Sequence, residues 1–376
     1  MNSGIKKVLI VGGGFAGMTA ALQMSRQGFE VDLVEIDANW RSYGAGISLH
    51  GSTLRVLEQL GLIGRFLEEG FVSDGVEMRG PDDSVLVTLP TPRVAGPGIP
   101  GGGGIMRPAL AKILSEAVRA SPTKVRLGVT FTQIVQHQTG VQVTFSDGCS
   151  DTYDLVVGAD GLYSSVRASV FPDAPKPRFI GQSVWRAVLP RPKGIDTVAM
   201  WMGPKLKVGM NGVSKDQAYL FLTEDRPTND FVAPEVLVES LRGLLERFSS
   251  PIIRKIASEL SAENHIIYRP LEQMLLQRPW FKGRVVLIGD AVHATTPHLA
   301  AGACIGIEDA MVLADEMGAN DHVDSALAAF EARRWERCRM VVENSGKLAD
   351  IEIHGGSRQE HASIMQASMK TLAEAI

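Results

Sequence analysis

The run Lys7-Val8-Leu9-Ile10-Val11, followed at once by Gly12-Gly13-Gly14-Phe15-Ala16-Gly17, constrains this chain more than any other segment. The apolar, β-branched run reads as a buried strand. The glycines then fall on the spacing G-x-G-x-x-G. Gly12 permits a tight turn, Gly14 lets the backbone approach a pyrophosphate, and Gly17 lets the next helix pack close to the strand. That helix is expected from about Ala16 to Gln27, with Gly28 ending it. Phe15 and Ala16 stand at its N-terminus, where free N–H groups and the macrodipole favour negative charge. A second strand, Glu30-Val31-Asp32-Leu33-Val34, delivers Glu35. A carboxylate there can accept hydrogen bonds from both hydroxyls of an adenosine ribose and repels a 2′-phosphate. The pattern predicts a site for an unphosphorylated adenosine such as that of FAD or NAD.

Two later segments repeat the strand-into-glycine design. Asp154-Leu155-Val156-Val157 runs into Gly158-Ala159-Asp160-Gly161, and a helix opening with Ser164 and Ser165 follows. Taken alone, Asp160 and Arg167 read as a capping acid and a local ion-pair partner. Arg284-Val285-Val286-Leu287-Ile288 runs into Gly289-Asp290-Ala291-Val292-His293.

The 376 residues are 45% hydrophobic and 21% charged, with a net charge of −4, which argues against nucleic-acid binding through a basic surface. Cys149, Cys304 and Cys338 are odd in number and widely spaced. They suggest no disulfide framework and fit the cytoplasm. No metal-ligand spacing is present, and no apolar run has the length of a membrane span. The chain enters its first strand almost immediately, so no cleavable signal peptide is expected.

An α/β fold with discontinuous domains follows. Residues 1–75, 100–175 and 280–320 are expected to bind the dinucleotide; 76–99 and 176–275 to form a strand-rich substrate domain; 321–376 to be a C-terminal helical segment. Ala95 to Gly104, with its run of glycines, reads as a mobile loop, a surface connection ahead of an active-site lid. The C-terminal helices could pack on their own domain or form a dimer contact, so the chain is expected to be a monomer or homodimer.

The three motifs, in this order, resemble those of the single-component FAD-dependent aromatic hydroxylases, the family of para-hydroxybenzoate hydroxylase, salicylate hydroxylase and 6-hydroxynicotinate monooxygenase. The resemblance covers almost the whole chain and includes Arg41, Arg107 and Pro297. It implies a glutathione-reductase-type FAD-binding Rossmann-like domain with an inserted substrate domain. It implies FAD as cofactor, NADH or NADPH as transient electron donor, O2 as co-substrate, and hydroxylation of a small aromatic or N-heteroaromatic molecule through a flavin hydroperoxide. It places Arg41 and Arg107 along the FAD, Asp160 near both FAD and NAD(P)H, and Asp290 on the ribityl or pyrophosphate part. Pro297, Gly302 and Ala303 fall in the loop passing the isoalloxazine ring. Ala300-Ala301-Gly302-Ala303-Cys304 departs from the commoner Gly-Gln-Gly version, and no tyrosine pair matches that of para-hydroxybenzoate hydroxylase.

Such chemistry needs a group that makes a phenol electron-rich, and His50 and His298 are the candidates. In the insertion, Arg186 could pair with a substrate carboxylate or form a structural ion pair. Trp201, Met210 and Tyr219 could line a substrate cavity or pack the sheet; alternation along strands must divide them. Two other functions fit the motifs: an epoxidase or tailoring oxygenase of a larger polycyclic or isoprenoid substrate, and a flavin-binding protein that does not oxygenate.

Overall fold

A computed structural model describes residues 4–203 and 205–376. Lys7–Val11 is the centre of a six-stranded sheet, paired in parallel with Glu30–Glu35 on one side and Leu155–Gly158 on the other. Lys124–Leu127 extends it beyond the former; Val285–Leu287 and the short antiparallel Phe281–Lys282 extend it beyond the latter. The central strands are buried on both faces, which is why they read as continuous apolar runs. All three glycine motifs leave this sheet at the carboxyl ends of neighbouring strands, where ligands bind in open α/β sheets.

The helix after the first motif spans Phe15–Arg26, one residue ahead of the expected start. Gly12 has φ of 109°, and a Cβ on Gly17 would lie 2.0 Å from the Gly12 carbonyl oxygen. Only glycine lets the helix come this close.

A seven-stranded sheet faces the first. Its order is Ile267–Leu275, Arg178–Pro190, Gln217–Asp225, Leu206–Gly212, Val198–Gly203, Val76–Arg79 and Val85–Leu89. Helices Leu237–Leu245 and Pro251–Glu259 cover one face and bury a second core around Trp185, Trp201, Val208, Met210 and Leu222. The other face looks toward the six-stranded sheet across a large cavity.

Between the two sheets lies a small antiparallel one, Gly46–His50, Gly102–Met106 and Phe71–Ser73. It corrects the reading of Ala95–Gly104 as a surface loop, because the last glycines form part of its central strand. A Cβ on Gly104 would lie 2.1 Å from the Gly212 carbonyl oxygen, and one on Gly103 2.8 Å from that of Phe71. The glycine run is a close-packed strand that its composition disguised.

Helices Gly302–Ala319, Val323–His354 and Arg358–Ala373 complete the fold. The last packs on Val323–His354 and also lines the cavity with Met365 and Met369. Among the described residues no helix is long and apolar enough to cross a membrane.

Candidate active site

The cavity has a volume of about 1230 Å³. Its walls include Gly14, Phe15 and Ala16 from the first motif, Ala159 and Gly161 from the second, and Gly289 and Asp290 from the third. Pro297, Gly302 and Ala303 line it as well. Three motifs more than a hundred residues apart therefore open on one space.

Its cofactor end has the features FAD requires. Gly14 caps the first helix without a side-chain hydrogen bond, no acidic residue stands in the first turn, and a Cβ on Gly14 would meet nothing within 4 Å. The terminus thus offers open N–H groups to a pyrophosphate. The N-terminus of Gly302–Ala319 also faces the cavity without a side-chain cap or an acidic first turn. Asp290 accepts no hydrogen bond from any described residue. It lies deep in the protein yet its residue is open to the cavity, and burial pushes its carboxyl above the usual range, with His293 and Arg107 opposing. Such a group suits a ligand hydroxyl, and these residues fit the cofactor.

Protein contacts hold the motifs in place. Glu35 accepts the Gly13 N–H at 2.7 Å and the Asp37 N–H at 2.8 Å, closing the first turn onto the second strand. Asp160 accepts from Ser164, Ser165 N–H and Val166 N–H, so it is the capping acid of Ser165–Val170. Arg167 is not its hydrogen-bonded partner. It donates to the carbonyls of Leu162 and Ala291, each at 2.8 Å, and so ties the second motif to the third. Beneath the third motif, Asp309 accepts from Gly289 N–H, His293 and Arg334. Burial would raise the Asp309 carboxyl, but His293 and Arg334 outweigh it and bring it to about 2. His293, Asp309 and Cys338 come together at the spacing of a metal-ligand group, yet the Arg334 guanidinium among them makes this a buried ion-pair network.

Strand alternation divides the substrate candidates. Arg186 and Tyr219 face the cavity, with Phe221, Lys207 and Asn211. Trp201 and Met210 do not: both are buried against the covering helices, and Trp201 donates to Asp83. The period of two puts Leu206, Val208 and Met210 on one face of their strand and Lys207, Gly209 and Asn211 on the other. Tyr219 meets Ser48 at 3.0 Å, and Asn211 donates to Ser48 at 2.8 Å. A Cβ on Gly46 would lie 2.3 Å from the Tyr219 ring.

The Arg186 guanidinium makes no hydrogen bond or ion pair with a described residue. Burial, then Arg107 and Arg269, lower its pKa to about 10, while Tyr219 opposes. Arg107 lies over the Phe15 ring, 5.8 Å from its centroid, and also faces the cavity. Arg41 does not. It is exposed, paired with Asp37 and stacked over Tyr43, because its strand has already ended at the surface.

Both candidate histidines are held by protein contacts. His50 Nε2 donates to the Leu299 carbonyl at 2.7 Å, and burial lowers its pKa, so a neutral ring holds the Pro297–Leu299 turn. The His298 imidazole is wholly shielded: Nδ1 meets Thr296 Oγ1 at 2.9 Å and Nε2 stands 3.4 Å from Glu352. His50 and His298 are both residues of the cavity wall. Sequence reasoning missed Ser48, Lys207, Asn211, Glu352, Met365 and Met369. Strand parity carried a signal for Lys207 and Asn211; nothing local marked Glu352.

The chain matches the FAD binding domain family over residues 6–345 and belongs to it. It is 33% identical over 355 residues to the 2-heptyl-3-hydroxy-4(1H)-quinolone synthase of Pseudomonas aeruginosa, covering 92% of this chain and 90% of that one. It is 28% identical over 369 residues to the FAD-dependent urate hydroxylase of Klebsiella oxytoca, covering 93% and 91%. The structure of Klebsiella pneumoniae HpxO with FAD and uric acid superposes with a TM-score of 0.81 at 23% identity, over 98% of this chain and 93% of that one. The protein is an FAD-dependent monooxygenase, using NAD(P)H and O2.

Proposed function

We propose that this enzyme hydroxylates a planar aromatic or N-heteroaromatic ring bearing an acidic oxygen or carboxylate, held between the two sheets. The observation that carries the reading is Arg186: a deep, cavity-facing guanidinium with no acidic partner of its own. A buried cation of this kind gains most from an anionic ligand. Phe221 beside it offers a ring face, and the Ser48–Tyr219–Asn211 chain offers polar contacts.

In this reading Gly12, Gly14 and Gly17 and the helix behind them receive the pyrophosphate. Glu35 takes the adenosine ribose, and Asp290 takes a ribityl hydroxyl. Pro297, Gly302 and Ala303 pass the ring, with the helix N-terminus stabilising negative charge there. These residues would hold FAD, which when bound would supply the electron transfer and O2 activation that hydroxylation needs. Arg186 and Arg107 stabilise the anionic form of the substrate, which makes its ring more electron-rich. The largely apolar walls limit the water that can stand against the ring. The three free cysteines and the self-packed C-terminal helix support a cytoplasmic protein, monomeric or homodimeric.

A second reading rests on Met365 and Met369, which present an apolar stripe of the last helix to the cavity. They suit a bicyclic or alkyl-bearing ring, as the name of the quinolone relative describes. One experiment separates the readings: NADH and NADPH oxidation with hydroxybenzoates, hydroxypyridines and alkylquinolones, with peroxide measured in parallel. A product one oxygen heavier with little peroxide from the acidic monocycles supports the first; conversion confined to the alkyl-bearing bicycles supports the second.

A further inference from the structure

The sheet face that looks into the cavity changes character from one end to the other. Arg186 stands at one end. Phe221, Gly209 and Met200 lie directly across from it, each on the next strand. Two residues from Met200 on the same strand, Val198 pairs with Val76, and Val76 with Leu89 at the sheet edge. Arg186, Phe221, Met200, Val198, Val76 and Leu89 all line the cavity. Neighbouring strands stand about 4.8 Å apart, so the five steps from the strand of Arg186 to that of Leu89 cover about 24 Å.

Gly209 decides what this floor can hold. A Cβ there would lie 2.2 Å from the Phe221 ring. The ring therefore lies across the strand at the rung that has no side chain, and the way from Arg186 to Met200 is flat and apolar. Past Leu89, the Thr91 hydroxyl already accepts the Gly75 N–H at 2.8 Å.

The apolar floor does not stop at the rim. Alternation puts Val87 and Met202 on the same face as Leu89 and Met200, and they are 46% and 45% exposed, with Leu89 at 42%. A strip of large apolar side chains open to water marks a place for an apolar ligand or partner. The charge at the far end selects between them. A second copy on the strip would cover Val87 and Met202 but would leave Arg186, deep in the cavity, without an anion. One ligand that is anionic at one end and hydrocarbon at the other satisfies both ends.

We propose that this floor is a track for a linear hydrocarbon chain and that the substrate is an anionic amphiphile. Its planar ring lies by Phe221 with the acidic group at Arg186, and its chain runs over Met200 and Val198 to the rim at Leu89. Met365 and Met369 add adaptable apolar side chains to the same cavity. The inference rests on the reading that Arg186 receives the acidic group, and it commits that reading to chain-bearing rings.

The test uses the full-length, FAD-loaded protein, titrated by calorimetry with benzoate and with 4-alkylbenzoates from methyl to octyl. Wild-type affinity is expected to rise about threefold to fourfold for each added methylene until the track is full. In Val198→Phe the rise should stop after the first few carbons while benzoate binds as in wild type. Leu89→Asp, at an exposed position, should weaken only the longest chains, and it keeps the test open should Val198→Phe not fold. Benzoate binding with no dependence on chain length overturns the track and leaves the reading of Arg186 standing. A wild-type gradient in both variants also overturns it. If no benzoate binds, the reading of Arg186 fails, and n-alkanols from butanol to octanol decide the track: binding that grows with length and is lost in Val198→Phe supports it, and no such binding overturns it. A dimer in sedimentation that Leu89→Asp dissociates, together with a flat gradient, would assign the strip to a second copy instead.

Discussion

Asp309 accepts the N–H of Gly289 at 2.9 Å, so a carboxylate buried in the helix after the flavin loop sets the turn that presents Asp290. Gly289 itself has φ of 61°, and a Cβ there would lie 3.1 Å from that of Ala16. The third motif is thereby built against the helix of the first.

Asp309→Asn should cost about 3–5 kcal/mol, because Arg334 and His293 would lose the carboxylate that compensates their buried charge. The Asp309 carboxyl lies near 2 in the folded protein, below an unfolded value of about 3.9. A lowered acid contributes stability that is complete above the unfolded value and lost as pH falls through the folded one. Denaturant titrations should therefore show the gap between wild type and variant narrowing from pH 5 toward about 2.

Asp290→Asn should act in the opposite sense. The Asp290 carboxyl is raised by burial, so the folded apoprotein favours the protonated form and gives up stability as pH rises through that raised value. The amide removes this cost. Apoprotein melting at neutral pH should rise in the variant while its FAD affinity falls about 10- to 100-fold, the worth of one charged hydrogen bond. Thermal denaturation and flavin fluorescence titration check the two halves; a variant that loses stability as apoprotein would refute the assignment.

The glycine motifs were legible because close approach can be met by only one residue type. Gly17 against the Gly12 carbonyl is such a case. The same logic was misread at Gly102–Gly104, where a run of glycines resembles a flexible loop in composition. Its close contacts come from Phe71 and Gly212, residues no local pattern connects to it. The substrate face was half legible. Alternation separates Arg186 from Trp185 and Lys207 from Met210, but the sequence does not say which parity faces the helices. Glu352 was not legible at all, because its partners arrive from three other elements.

Gly17→Ala should give protein that purifies with little FAD. Its methyl group would stand 2.0 Å from the Gly12 carbonyl oxygen, so the turn must open and its N–H groups lose their aim. Strain of about 1–3 kcal/mol is the expected scale. The ratio of flavin to protein absorbance after purification measures it, and a fully yellow variant would contradict the geometry.

Arg186→Met and Trp201→Phe form a matched pair across the same sheet. Arg186 faces the cavity without an acidic partner, so its replacement should leave folding intact and raise KM for carboxylate-bearing or phenolic substrates. Loss of one charged hydrogen bond, about 1.5–3 kcal/mol, corresponds to roughly 10- to 100-fold. Neutral analogues should be converted with little change, since they make no use of the guanidinium. Trp201 lies on the opposite face, 2% exposed, with its indole N–H on Asp83. Its truncation should lower the unfolding midpoint, through a small cavity and one lost hydrogen bond to Asp83, which keeps those from Ser250 and the Ile252 N–H, while the order of preferred substrates stays as in wild type. Steady-state kinetics beside urea denaturation separate the two effects. A changed substrate order in Trp201→Phe, or equal losses on acidic and neutral rings in Arg186→Met, would show that the faces had been assigned the wrong way round.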